Sequence, residues 1–165
     1  MKAIDIARYV ITYNEHKGDF ISNKKLQKLL YYVEAWGLVY MNSIIDEDFE
    51  AWVHGPVIPS VYAEFKKHGA SIIQLQYPDD TKPSEQLKKY ETELKITSNE
   101  KELIEQIILK YGALSSFELE LLSHSETPWL EARKGLEPHE SCNSKIEKAT
   151  MKQYYSEMLN AQKES

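Results

Sequence analysis

Two short segments of the chain hold most of the side chains that could take part in chemistry. Residues 52–56 read WVHGP, and residues 124–129 read HSETPW. A histidine beside a carboxylate can transfer protons, so one hypothesis is a small hydrolase built on His124 and Glu126. The chain contains no nucleophile-elbow motif, no glycine-rich phosphate loop and no zinc-binding His-Glu-x-x-His helix. The balance of these patterns predicts that the protein is not an enzyme and has no catalytic residue.

The aromatic residues of the first segment also suit the recognition of another protein. Tryptophan and tyrosine are favoured anchors at protein interfaces, and the chain has 11 tyrosines, with adjacent pairs at 31–32 and 154–155. Neighbouring helical positions point about 100° apart, so one member of each pair can face outward. The alternative is that Trp52 fills the core while the glycine and proline after it shape a tight turn. The candidate partner-binding residues are Tyr32, Trp52, His54, Tyr154 and Tyr155.

Composition and charge limit the kind of partner and site. A chain of 165 residues predicts one domain over residues 1–165. The net charge of −6 opposes nucleic-acid binding through the overall field, although it suits a basic partner protein. The single cysteine, Cys142, excludes an intramolecular disulfide and a multi-cysteine zinc site. Together with His139 it fits a polar loop better than a metal site, so no metal and no cofactor are expected.

The N-terminal residues and the apolar runs predict a cytoplasmic protein. Asp5 and Arg8 interrupt the apolar core that a signal peptide needs. No apolar run approaches the roughly 20 residues of a membrane-spanning helix. We therefore expect no association with a membrane.

Hydrophobic periodicity predicts a mainly α, compact multi-helix domain. The first helix covers residues 3–16, and the second runs from the N-cap Ser22 to about Asn42. Apolar and polar residues alternate over 49–53, which predicts a short strand. Gly55 and the proline after it then favour a turn, so a short β-strand pair can follow the second helix.

Further helices and connections are predicted along the rest of the chain. The next elements are a helix from Pro59 to about His68, a strand at 71–77, and an exposed connection at 78–94 that is partly helical after Pro83. Two helices then begin at capping boxes, those of Thr97 with Glu100 and of Ser115 with Glu118. A helix with Thr127 as N-cap and Pro128 at its first position follows, and Thr150 and Gln153 cap the last helix. We expect the core to span about residues 3–135, followed by a loop and a C-terminal helix over 136–165.

The two motif segments are also expected to meet in the fold. They are the only parts of the chain that exceed generic helix patterning. The hypothesis is that His54, His124, Glu126 and Arg133 form one polar network that joins them. In this arrangement Arg133 would pair with Glu126 or with Glu50.

Sequence blocks around both segments resemble the SocA-like antitoxin domain, also called the Panacea domain, long described as a phage-associated domain of unknown function. The resembling blocks are KLQKLLYY at 25–32, AW at 35–36, EAW at 50–52, HGPV at 54–57, Pro59, HSETPW at 124–129 and AR at 132–133. The resemblance covers about residues 3–135. It assigns a motif or structural role to Lys25, Leu26, Lys28, Trp36, Gly55, Pro56, His124, Glu126, Pro128, Trp129 and Arg133.

The resemblance implies an antitoxin that neutralises a cognate toxin by direct protein–protein binding. The toxin is expected to be encoded next to this chain, and the antitoxin can also form a homo-oligomer. A second hypothesis is an adaptor that delivers its partner to a cytoplasmic protease, with the tail at 159–165 as the surface that faces the protease.

Overall fold

Eight α-helices and three short β-strands make up the fold, and the computed structural model describes residues 1–165. The elements are α1 (Ala3–His16), α2 (Asn23–Met41), β1 (Phe49–Trp52), β2 (Gly55–Val57), α3 (Pro59–Phe65), α4 (Pro83–Glu93), α5 (Ser98–Tyr111), α6 (Ser116–Ser125), α7 (Thr127–Ala132), β3 (Lys145–Ile146) and α8 (Lys148–Glu164), with short 3-10 turns at Lys66–His68 and Pro78–Asp80. The prediction of a mainly α domain is confirmed.

Helix α2 is the central element. Its N-terminus is capped by the side chain of Ser22, which accepts a hydrogen bond from the Lys25 amide, and Asn42 ends it in a left-handed conformation. Helices α1, α3, α5, α6 and α8 all pack against it. A helix that is covered on every side buries side chains around its whole circumference. For that reason both Tyr31 and Tyr32 are completely buried.

The strands form a small antiparallel sheet in the order β2-β1-β3. Trp52 pairs with Gly55, and Phe49 pairs with Ile146. The strand pair after the second helix is thus confirmed, while the third strand comes from the C-terminal segment and was not predicted. Alternate residues of β1 face opposite sides of the sheet. Phe49 and Ala51 point into the core, whereas Glu50 and Trp52 are half-buried on the outer side.

Three local predictions differ from the structure. Residues 71–77 are not a strand, because they make only one β-bridge, Ser22 to Ile72, and the Leu75 amide bonds the Glu15 carboxylate instead of a neighbouring strand. Thr127 is the first residue of α7 and not its N-cap. Helix α8 begins at Lys148, ahead of the predicted cap at 150–153. The predicted capping boxes at 97–100 and 115–118 are both present.

One hydrophobic core links the two ends of the chain. Ala3 and Ile6 of α1 and Met151 and Tyr155 of α8 belong to the same buried cluster as the α2 side chains. The C-terminal helix therefore completes the core instead of lying outside it. None of the helices combines the length and the apolar character that crossing a bilayer requires.

Candidate functional site

The two motif segments lie against each other. The indole nitrogen of Trp129 on α7 donates to the backbone oxygen of Trp52 over 2.9 Å, and the Arg133 guanidinium donates to the backbone oxygen of Ala51 over 2.8 Å. The His124 ring stacks on the Trp129 ring with 4.0 Å between the ring centres. Helix α7 and the residue that follows it thus hold the β1–β2 hairpin in position by hydrogen bonds to the main chain of β1.

The proposed network of His54, His124, Glu126 and Arg133 is wrong in its pairings. His54 Nδ1 donates to Glu120 over 2.6 Å, a partner that the motif pattern did not reveal. Arg133 makes no ion pair with Glu126 or Glu50. Its donors go to main-chain oxygens, those of Ala51, Glu137, Pro138 and Glu140. The planar fork of five donors suits this task, because it satisfies several carbonyl groups of the loop after α7 at once.

Glu126 is buried in the core, where it contacts residues of α2 and α8. Its carboxylate accepts hydrogen bonds from the hydroxyl groups of Tyr32, at 2.6 Å, and Tyr155, at 2.9 Å. Burial raises the pKa of Glu126, and the two tyrosine hydrogen bonds partly offset that rise. This cluster ties α2 and α8 to the start of α7.

Two of the five residues predicted to bind a partner are therefore buried in the core. Tyr32 and Tyr155 have no exposed surface, and their hydroxyls are used by Glu126. They cannot contact a partner without unfolding. Trp52 and Tyr154 are half-buried, and the side chain of His54 is 72% exposed.

An open groove of about 930 Å³ lies on the outer side of the β1–β2 hairpin. Its walls are the first turns of α2, the region from α3 to residue 70, and the loop at 141–143 that precedes β3. Trp52 and Tyr62 meet edge to face in it, with 5.0 Å between ring centres. The Trp52 indole nitrogen donates to Glu50 over 2.6 Å. The groove therefore combines an aromatic patch with a polar wall.

The polar wall of the groove is rich in lysine. Lys24, Lys28 and Lys66 line it, and Glu50 is the one carboxylate among the lining residues. The ammonium group of Lys24 also lies 2.6 Å from Glu120. Burial alone would raise the pKa of Glu120, but hydrogen bonds from Lys24 and His54 hold it below its ordinary value. Glu120 thus holds the side chains of Lys24 and His54 in position on this wall of the groove.

Lys28 is buried beneath the groove. It is 1% exposed, and its ammonium group makes one hydrogen bond, 3.4 Å to the backbone oxygen of Pro56. None of the salt bridges of the fold includes it. Burial lowers the pKa of Lys28 to about 7. A buried lysine with so little compensation is costly for the folded state.

Gly55 makes room for this lysine. Its φ of +107° is a conformation that L-residues rarely adopt, and an added Cβ would lie 2.5 Å from Cε of Lys28. The β1–β2 turn can therefore close over Lys28 only when residue 55 has no side chain.

We predict that Gly55→Ala destabilises the protein by about 3 kcal/mol, because backbone strain and a clash with a buried side chain add together. Gly69→Ala is the matched control, since Gly69 also has a positive φ but no atom within 4 Å of an added Cβ. It should cost only about 1 kcal/mol. Urea unfolding measures both. Equal losses for the two variants would show that the contact with Lys28 is unimportant.

The other motif residues support the fold. Lys25 donates to the backbone oxygen of Gly112 over 2.7 Å, and Trp36 donates to the Tyr111 hydroxyl over 2.8 Å. Leu26 and Pro128 are buried. These contacts position α5 and α7 around α2.

His124 and Glu126 do not face each other across the groove. His124 Nε2 is buried without a hydrogen-bond partner, and burial lowers the pKa of this histidine. Glu126 points into the tyrosine cluster, and neither residue lines the groove. His124 and Glu126 therefore do not form the acid–base pair that the hydrolase hypothesis requires. No group of three or more His, Cys, Asp or Glu side chains is placed to hold a metal ion.

Fold and site together define a small, mainly helical domain with an open groove beside a β-hairpin. The model of the antitoxin SocA-like, Panacea domain family matches residues 26–130, from α2 to α7. The chain belongs to this family. No curated protein and no solved structure shows a significant match to it.

Proposed function

We propose that this protein is the antitoxin of a toxin–antitoxin pair, and that it neutralises its cognate toxin by binding it directly in the cytoplasm. The observation that carries the proposal is its membership of the SocA-like antitoxin family, whose model over residues 26–130 covers the hairpin, α3 and most of α2 and α7. The partner is the product of a gene adjacent to that of this chain.

The groove is the contact surface that the structure supports best. It presents a half-buried Trp52 and an exposed His54 together; Trp52 is hydrogen-bonded to Glu50 on the same strand, and His54 to the buried Glu120 on α6. A pre-organised aromatic residue beside polar groups is typical of the energetically dominant part of a protein interface. Tyr154 lies on α8 and does not line the groove, so its role as a contact residue is a separate proposal.

Growth rescue tests the proposed function. The adjacent gene product, expressed alone, is expected to arrest growth, and co-expression of this protein is expected to restore it. Trp52→Ala should weaken rescue by about tenfold or more in the dose required, because it removes an aromatic anchor.

Tyr40→Ala is the matched control, since Tyr40 is an exposed aromatic residue outside the groove. It should rescue like the unchanged protein. An adjacent gene product that is harmless, or an arrest that this protein does not relieve, would contradict the antitoxin function. Equal rescue by the two alanine variants would contradict the groove as the contact surface.

A further inference from the structure

The residues that line the groove have a different balance of lysines and carboxylates from the whole chain. The whole protein has 20 lysine and arginine residues against 26 aspartate and glutamate residues. Among the groove-lining residues there are three lysines and one carboxylate. A concave surface of one sign attracts a ligand of the other sign, and the effect is stronger in a cleft than on a flat surface.

Two of the three groove lysines have no carboxylate partner. Lys66 is exposed and Lys28 is buried, and neither takes part in a salt bridge. The carboxylate of Glu50 is engaged by the Trp52 indole. The uncompensated positive charge is therefore chiefly that of Lys66, since Lys24 is paired with Glu120 and burial lowers the pKa of Lys28 to about 7.

The aromatic side of the groove lies next to this charge. Tyr62 is 39% exposed and packs on Trp52, and it precedes Lys66 by one helical turn. Side chains four residues apart on a helix are neighbours. A ligand that fits the groove thus offers an apolar group to the aromatic pair and negative charge to the lysines.

We propose that the groove binds an acidic segment of the toxin, with carboxylates facing Lys66 and Lys24 and an apolar side chain on Trp52 and Tyr62. The proposal rests on the antitoxin function and names the chemistry of the partner at the same site. A long nucleic acid is a poorer occupant, because it would run from the groove onto a surface of net negative charge.

Charge reversal at Lys66 tests this proposal. The probe is the purified product of the adjacent gene that passes the growth-rescue test, and its affinity is measured by isothermal titration calorimetry at two salt concentrations. K66E should weaken binding by about tenfold or more, since it places a carboxylate opposite carboxylates. The K66E complex should also respond less to salt, because one attractive charge pair is lost.

K67E is the matched control. Lys67 is the next residue in the chain, it is also exposed and outside all salt bridges, and it does not line the groove. Its affinity should stay within about twofold of the unchanged protein, since charges at the edge of an interface contribute little. Thermal melting of K66E and K67E should give the same midpoint, which confirms that both variants fold.

Three outcomes would overturn the acidic-segment proposal, and a fourth would overturn the antitoxin function. Equal affinities of K66E and K67E, with rescue intact, would reject it while the antitoxin function stands. Displacement of the toxin by millimolar inorganic phosphate would identify a small-anion site. A dimer of this chain that K66E dissociates in gel filtration would make a second copy the occupant. Failure of the unchanged protein to rescue growth would instead reject the antitoxin function itself.

Discussion

Truncation after residue 147, which removes α8, is expected to abolish cooperative folding. Met151 and Tyr155 are completely buried, and burial of each such side chain contributes roughly 1.5–3 kcal/mol. The truncation also removes Lys148, whose ammonium group lies 3.0 Å from the fully buried Glu34, and the Tyr155 hydrogen bond to Glu126. Removing the cationic partner of a buried carboxylate such as Glu34 costs about 3–5 kcal/mol. The sum, about 6–11 kcal/mol, is comparable with the whole stability of a typical domain, roughly 5–15 kcal/mol.

Circular dichroism during thermal unfolding measures this effect. Truncation after residue 159 is the control, because residues 160–165 are all exposed and their removal should leave the transition almost unchanged. A cooperative transition near the original midpoint after loss of the whole helix would show that the α2–α7 region folds alone. That result would separate the residues that match the family model, 26–130, from the C-terminal helix as an independent unit.

Replacement of Lys28 by methionine is expected to stabilise the protein, most strongly at low pH. The pKa of Lys28 is about 7 in the folded chain against 10.5 in the unfolded chain, because burial disfavours the charged form. Between these values the unfolded chain binds a proton that the folded chain does not. The stability of the unchanged protein therefore rises with pH from about 7 toward 10.5. Lys28→Met removes this dependence and keeps a side chain of similar length.

The gain from Lys28→Met is expected to be about 3 kcal/mol larger at pH 6 than at pH 9. The neighbouring charged groups oppose each other: Glu120 raises the pKa of Lys28, while Lys24 lowers it. His124 also lies in this electrostatic neighbourhood. Urea unfolding at several pH values gives the profile, with Lys67→Met as an exposed control. Parallel profiles for Lys28→Met and the unchanged protein would show that Lys28 keeps its charge in the fold.

The helices were predictable because their signals are local. Ser22, Thr97 and Ser115 each accept a hydrogen bond from a backbone amide three residues later, as their positions in the sequence indicate. The alternation over 49–53 likewise predicted β1. The two-residue strand β3 has no such pattern, and it exists only because the loop after α7 returns to the hairpin edge.

The side-chain partners were not predictable, because they depend on long-range contacts. Tyr32 reaches Glu126 from 94 positions away, and Trp129 reaches the Trp52 backbone from 77 positions away. The adjacent-tyrosine argument assumed that a helix has one free face, and α2 has none over residues 26–38. The groove was missed for a related reason. Lys24 and Lys28 lie on α2, whereas Lys66 follows α3, so their common wall appears only in the fold.

The most direct test of neutralisation by binding is a reconstitution from purified components without any protease. The toxin is the adjacent gene product whose growth arrest this protein relieves, and its activity is measured with and without an equimolar amount of the protein. We predict that the toxin is inactive in the mixture and that both chains co-elute in gel filtration as one complex. A toxin that stays active and elutes alone, although its level falls in cells that express this protein, would contradict the account and identify an adaptor for proteolysis.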